Sequence, residues 1–143
     1  MINRKLTLFT AAALLLGASW GNAMPREKEH AECLAKASTD AAVTQCRTTE
    51  IEAVEKALKA DEQNIRQEKS LQALAKKSGE SIEDMRELFQ SYSKSHCLYY
   101  VLANHGNGYS DAYNKAKCEL ADILQYQDNL QEIYQMAISD IKV

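Results

Sequence analysis

Apolar residues in this chain recur at intervals of three, four and seven, with no alternating β-branched runs. One series comprises Val43, Cys46, Ile51, Val54, Leu58 and Ile65. A second runs Ile82, Met85, Phe89, Tyr92, His96, Tyr99 and Ala103. A third runs Tyr113, Leu120, Ile123, Leu124, Leu130, Tyr134 and Ile138. Each keeps to one face of a helix of 3.6 residues per turn. The abundance of Ala, Glu, Lys, Gln and Leu between them has the same preference. The fold class predicted is all-α, a small helical bundle.

Punctuation sets the ends. A first helix is expected from about Pro25, at an N1-like position, to Ala37. Ser38, Thr39 and Asp40 offer caps for the second helix, and Lys76 and Lys77 before Gly79 give its end. Unbroken, that segment would span about 58 Å at 1.5 Å per residue, so a bend is expected near Ala60–Asn64. Glu52–Lys56, Glu55–Lys59 and Glu62–Arg66 are i,i+4 pairs in the favourable order and read as a solvated face. Ser81 with Asp84 makes a capping box for the third helix. The fourth starts near Ser110 or Asp111. On the third helix His96 falls in the apolar series, which predicts a partly buried, hydrogen-bonded imidazole, and its tyrosines are expected in the core with their hydroxyls at the rim.

The start of the chain changes the picture of where this bundle works. Arg4 and Lys5 precede the apolar run Leu6–Trp20, and Gly21 and Ala23 stand where a signal peptidase takes small residues. Residues 1–23 are therefore expected to be a signal peptide, leaving residues 24–143 as one domain, periplasmic or secreted. The run is too short for a membrane anchor, which takes about 20 apolar residues, and no cysteine follows it for lipid attachment. No membrane insertion is expected after cleavage. Loss of Arg4 and Lys5 takes the formal charge from −3 for the 143 residues to about −5 for the remaining 120. That balance argues against nucleic acid and against an anionic membrane surface, and suits a basic protein partner.

Four cysteines, Cys33, Cys46, Cys97 and Cys118, remain in the expected mature chain. In an exported domain this reads as two disulfides, with three formal connectivities. Antiparallel helices joined at a turn bring together residues equidistant from it. Cys97 and Cys118 flank Asn107–Gly108 symmetrically, and Cys33 and Cys46 flank Thr39–Asp40. The pairs Cys33–Cys46 and Cys97–Cys118 follow, each stapling one helical hairpin across a Cα separation of about 4.4–6.8 Å. A metal site combining cysteine with His30, His96 or His105 finds no C-x-x-C or H-x-x-x-H spacing, so no metal and no cofactor are expected.

Little in the sequence points to catalysis. No glycine-rich phosphate loop occurs, and Ser110 and His105 share a loop without an evident acid to orient the histidine. An enzyme is not expected. The loop Asn104–Asp111, NHGNGYSD, is longer than antiparallel helices need. Its glycines and Ser110 serve as turn and cap, which leaves His105 and Tyr109 without a structural task. His105, Asn107, Tyr109 and Ser110 are the candidate partner-binding loop. An adaptor would instead use an exposed apolar stripe such as Leu71 and Leu74, or the tail residues Ile138 and Ile141.

The order C-x12-C, a long polar helix, then an aromatic-rich helix reaching C-x20-C with glycines between, resembles the LprI-like lysozyme inhibitor family. The likeness runs from Cys33 to about Leu130. Glu50 and Leu58 stand four and twelve residues after Cys46, where the family tends to have Glu and Leu. Phe89 takes the place of its usual tryptophan, Tyr92 matches an aromatic position, and Gly106-Asn107-Gly108 sits at its glycine pair. Ser93-Lys94 replaces its Arg-Asp pair, Gln125 or Tyr126 its arginine, and Lys59 and Glu62 its asparagine and tyrosine. The resemblance implies an exported protein-binding module that inhibits lysozyme-type muramidases. The alternative is a cell-envelope adaptor without inhibitory activity.

Overall fold

Five helices follow one another in the computed structural model, which describes the backbone of residues 17–139 and the side chains from Arg26 onward: α1 (Gly17–Lys36), α2 (Asp40–Gln67), α3 (Lys69–Ser78), α4 (Ile82–Asn104) and α5 (Asp111–Ser139). The first sixteen positions of the expected signal segment, and Ile141, lie outside the described residues. Among the described residues no helix is long and apolar enough to cross a membrane. The all-α bundle of two stapled hairpins is the observed architecture. Cys33–Cys46 joins α1 to α2 at a Cα separation of 5.8 Å, and Cys97–Cys118 joins α4 to α5 at 5.5 Å.

Local chemistry accounts for the ends. Thr39 accepts a hydrogen bond from the N–H of Ala42 at 3.1 Å and caps α2. Ser81 and Asp84 form the reciprocal capping box of α4, with the Ser81 N–H donating to Asp84 Oδ2 at 2.7 Å. Ser110 accepts from the N–H of Tyr113 at 3.1 Å and caps α5. Gly79 ends α3 at φ +77°, a left-handed backbone that glycine adopts without a Cβ penalty.

Two boundaries differ from the sequence reading. The first helix is already formed at Gly17, the first described residue, so Pro25 lies inside it and not at its first position. The backbone stays helical upstream of it, short of the one hydrogen bond that a proline nitrogen cannot donate. The break after α2 falls at Glu68, beyond Ala60–Asn64. Glu68 ends one helix and opens the next. Its N–H bonds back to the carbonyls of Asn64 and Ile65, while its carboxylate accepts from the N–H and hydroxyl of Ser70, both at 3.1 Å. The break lets Leu71 fold down against the core.

The core lies where α5 packs lengthwise on α2: Val54, Leu58, Ile65, Leu120, Ile123, Tyr126 and Leu130, with Phe89 and Met85 of α4 closing it from the side. The buried row of α2 runs Cys46, Glu50, Val54, Leu58, Asp61 and Ile65, so two carboxylates share the apolar face. Arg26 stands 2.9 Å from Glu50, and Gln127 of α5 donates to Asp61 at 3.1 Å. Gln127 also accepts from Arg26 at 3.4 Å, linking α1, α2 and α5 through one amide.

The face of α4 is also corrected. Its buried residues are Ser93 and Cys97, whereas Tyr92, His96 and Tyr99 are exposed. The 3-4 series read from the sequence averages 3.5 residues per turn. Against the 3.6 of a straight helix it drifts by about 20° per heptad. It leaves the core after Phe89, and the bridge at Cys97 fixes the true inward face. The expected solvated pairs of α2 are likewise redirected. Glu55 and Glu62 both pair with Arg86 of α4, the latter at 3.3 Å, and Arg66 pairs with Glu83.

Candidate functional site

The loop between α4 and α5 gathers the four expected residues and gives each an internal partner. His105 Nδ1 lies 3.1 Å from Asp111 Oδ1, with both side chains more than half exposed. The amides of Asn107 and Asn114 face each other, donating in both directions at 3.3 and 3.4 Å, and Asn107 Oδ1 accepts from the N–H of Tyr109 at 3.1 Å. The Tyr109 ring stacks on Tyr113 at 4.4 Å, and the Arg47 guanidinium lies 4.2 Å from the Tyr113 centroid. Ser110 is the cap already described. Gly106 and Gly108 take φ of +82° and +93°, which the reversal of the chain requires. The tip is braced on α2 and α5. His105 and Tyr109 have structural tasks that the sequence reading did not find.

A larger feature lies on the flank of the bundle. α4 and α2 both lean on α5 but hardly meet each other above Phe89, which leaves a groove of about 620 Å³ between them. Ile51 of α2, Phe89, Leu98 and Val101 of α4, and Ala112 and Ile123 of α5 give it an apolar lining. Lys94, Lys115, Glu55 and Glu119 bring charges to it. Below it the helices are tied together. Arg86 holds Glu55 and Glu62 with its guanidinium 5.7 Å from the Tyr126 ring, which stacks on Phe89 at 4.3 Å. Burial, reinforced by the Glu62 carboxylate, pushes the Tyr126 phenol up to about 12.

α4 is apolar on its outer surface as well. Leu88, Tyr92, Leu98, Tyr99 and Leu102 are each 59% exposed or more. Among the described residues no other helix covers these side chains, and clustered exposure of this kind marks interaction surfaces. The sequence reading missed the groove because it turned the tyrosines inward. Leu88, Leu98 and Leu102, apolar residues outside every series, were the available signal. Of the residues proposed for an adaptor, Leu74 is 60% exposed, Leu71 packs on the core and Ile138 is half-buried.

A third cluster surrounds the second bridge. His96 Nδ1 lies 3.0 Å from both carboxylate oxygens of Asp122, 3.6 Å from Cys118 Sγ, and Asp122 Oδ2 lies 3.4 Å from Cys97 Sγ. His96 is hydrogen-bonded, as expected, but its side chain is 42% exposed and that of Asp122 only 9%.

Fold and surfaces together define a small all-α module, two disulfide-stapled hairpins packed about α5 with an open apolar groove on one side. No family model matches the chain, nor does any curated protein or solved structure.

Proposed function

We propose that the protein is a docking module that receives an amphipathic helix of a partner protein in the groove between α2 and α4. One observation carries this reading: α4 exposes Leu98 and Leu102 beside an apolar trough that none of the described residues fills. The trough runs from Phe89 to Val101, about 18 Å at 1.5 Å per residue, which fits roughly three turns of helix. A helix laid there would complete a four-helix bundle, burying apolar anchors at i, i+3, i+4 and i+7. Charges of both signs at the groove, Lys94 and Lys115 with Glu55 and Glu119, would set its orientation. Two disulfides support a place in an oxidising compartment, periplasmic or secreted.

A lysozyme-type muramidase is the partner that the family resemblance implies. The tip is the weaker contact surface for it. Asp111, beside His105, would repel the carboxylates that line such a cleft.

The test is photo-crosslinking from position 102 in exported protein, alongside a lysozyme lysis assay. Each is run on wild type, Leu98→Glu, Val101→Glu and His105→Ala/Tyr109→Ala. The expected result is a crosslinked partner lost in both groove variants and kept in the tip variant. Loss in the tip variant alone would move the contact to the tip and overturn the groove. Lysis rates unchanged by wild-type protein across several lysozyme types would remove lysozyme as the target and leave the adaptor reading.

A further inference from the structure

We propose that the Cys97–Cys118 bridge conceals a zinc-type metal site, assembled on reduction from Cys97, Cys118, His96 and Asp122. The four donor atoms already lie within 4.8 Å of one another. The non-covalent spacings among them are 3.0 Å from His96 Nδ1 to Asp122, 3.4 Å from Asp122 to Cys97 Sγ, and 3.6 Å from Cys118 Sγ to His96 Nδ1. A tetrahedron with bonds of about 2.0–2.3 Å has edges of about 3.3–3.8 Å, so three of the six edges are close to their final length. The two sulfurs must separate, which breaking their bond allows, and the remaining two edges, now no longer than 4.8 Å, must close to the same length.

The donor chemistry fits the same ion. Two thiolates, one imidazole and one carboxylate suit a borderline divalent cation such as zinc, and their three negative charges exceed its two positive ones. The cluster is supported from behind. The Ser93 hydroxyl lies 3.9 Å from Cys97 Sγ and can donate to a thiolate there, and Tyr92 stacks on the His96 ring at 5.3 Å and holds its orientation. Cys97 and Cys118 are buried while the imidazole opens to solvent, which gives an ion a way in. No comparable group surrounds Cys33 and Cys46 among the described residues, so the two bridges are chemically unlike.

The balance is simple. A dithiol reductant passes two electrons and two protons to the bridge, leaving as its own disulfide, and Cys97 and Cys118 become thiols. The metal ion displaces both thiol protons to the medium; the imidazole proton shifts from Nδ1 to Nε2, and the ion takes the freed Nδ1 lone pair of His96 and one carboxylate oxygen of Asp122. A disulfide oxidant that takes the two electrons back, picking up two protons from the medium and leaving as its own dithiol, would re-form the bridge and release the ion. The site is therefore a redox-gated one, closed while the hairpin is stapled and available when it is not.

The experiment uses the full mature chain, reduced with a dithiol and freed of it under nitrogen, then titrated with cobalt(II). One equivalent of cobalt should give the thiolate charge-transfer and d–d absorption of a tetrahedral site, and zinc should displace it. The oxidised protein and Cys97→Ser/Cys118→Ser should show neither, whereas Cys33→Ser/Cys46→Ser should bind like wild type. His96→Ala and Asp122→Asn should each weaken binding by at least about tenfold, the loss typical of removing even a ligand's hydrogen-bond partner. If reduction loosens the hairpin, zinc should restore its helicity and raise its Tm, and should do neither for Cys97→Ser/Cys118→Ser. Cobalt binding no tighter than that of the double serine variant would overturn the proposal. Binding unaffected by both His96→Ala and Asp122→Asn would do so too, leaving His96 and Asp122 as a plain surface pair.

Discussion

Arg26 Nε lies 2.9 Å from Glu50 Oε1, an ion pair that fastens the start of the first hairpin to the buried row of α2. Glu50 is on the i+4 row between Cys46 and Val54, with its side chain only 7% exposed. Burial raises its pKa from the ordinary glutamate value, and the charge of Arg26 offsets part of that rise. The pair therefore limits a cost more than it adds a gain.

The sign of the pH effect follows. A carboxyl whose pKa is higher folded than unfolded makes the native state hold a proton that the unfolded chain has released. Stability from Glu50 is thus lost as pH rises from the unfolded value through the folded one. Glu83 and Asp84 act oppositely. The Arg66 guanidinium lowers Glu83 and hydrogen bonds from Ser81 lower Asp84, so their stabilisation is present at neutral pH and lost as pH falls through the folded values. Urea denaturation between pH 3 and 7 should show Glu50→Gln gaining relative to wild type as pH rises, measured on an Arg26→Ala background to isolate the carboxylate. Arg26→Ala alone should cost about 1–3 kcal/mol at neutral pH, the penalty for leaving a buried polar group unpaired. A flat difference curve would refute the account.

Tyr126→Phe should leave stability unchanged or raise it by up to about 1 kcal/mol. The phenol oxygen is buried near the Glu62 carboxylate without a well-formed hydrogen bond, so the hydroxyl bears a desolvation cost while the ring keeps its stack on Phe89. A loss above about 1 kcal/mol in chemical denaturation would mean the hydroxyl has a partner after all.

Gly106→Ala and Gly108→Ala should each destabilise by about 1 kcal/mol, although an added Cβ meets nothing within 4 Å at either site. The cost comes from backbone with positive φ, which an L-residue resists. Because Asn107 and Tyr109 are held by this turn, the Tyr109–Tyr113 stack should loosen as well, and a nuclear Overhauser contact between the two rings would report it. Full retention of both stability and that contact would contradict the role of the turn.

Peptide mapping without reduction should recover Cys33–Cys46 and Cys97–Cys118 and no crossed pair. Serine replacement of either pair should cost about 3 kcal/mol in the chain-entropy model, slightly more for the longer loop. A Cys46–Cys97 linked peptide would contradict the two-hairpin arrangement.

Periodicity, capping residues and cysteine symmetry were enough to determine the all-α class, the caps at Thr39, Ser81 and Ser110, and both bridges. These are local signals, or depend only on equal distances from a turn, and a chain carries them in its order of residues. The inward face of α4 was not among them. A 3-4 series and a 3.6-residue helix agree for two turns and then part. Only packing on α5 and the bridge at Cys97 decide that Ser93 is buried and Tyr92, His96 and Tyr99 are not. The same holds for charge. Glu55 and Glu62 look like members of i,i+4 pairs until α4 places Arg86 across from both. Asp122 was silent in the sequence, twenty-six residues from His96, because its meaning depends on two helices meeting at the Cys97–Cys118 bridge. The groove has no sequence signature of its own. It exists because α2 and α4 share α5 as a neighbour without closing on each other, which is a property of the packed chain alone.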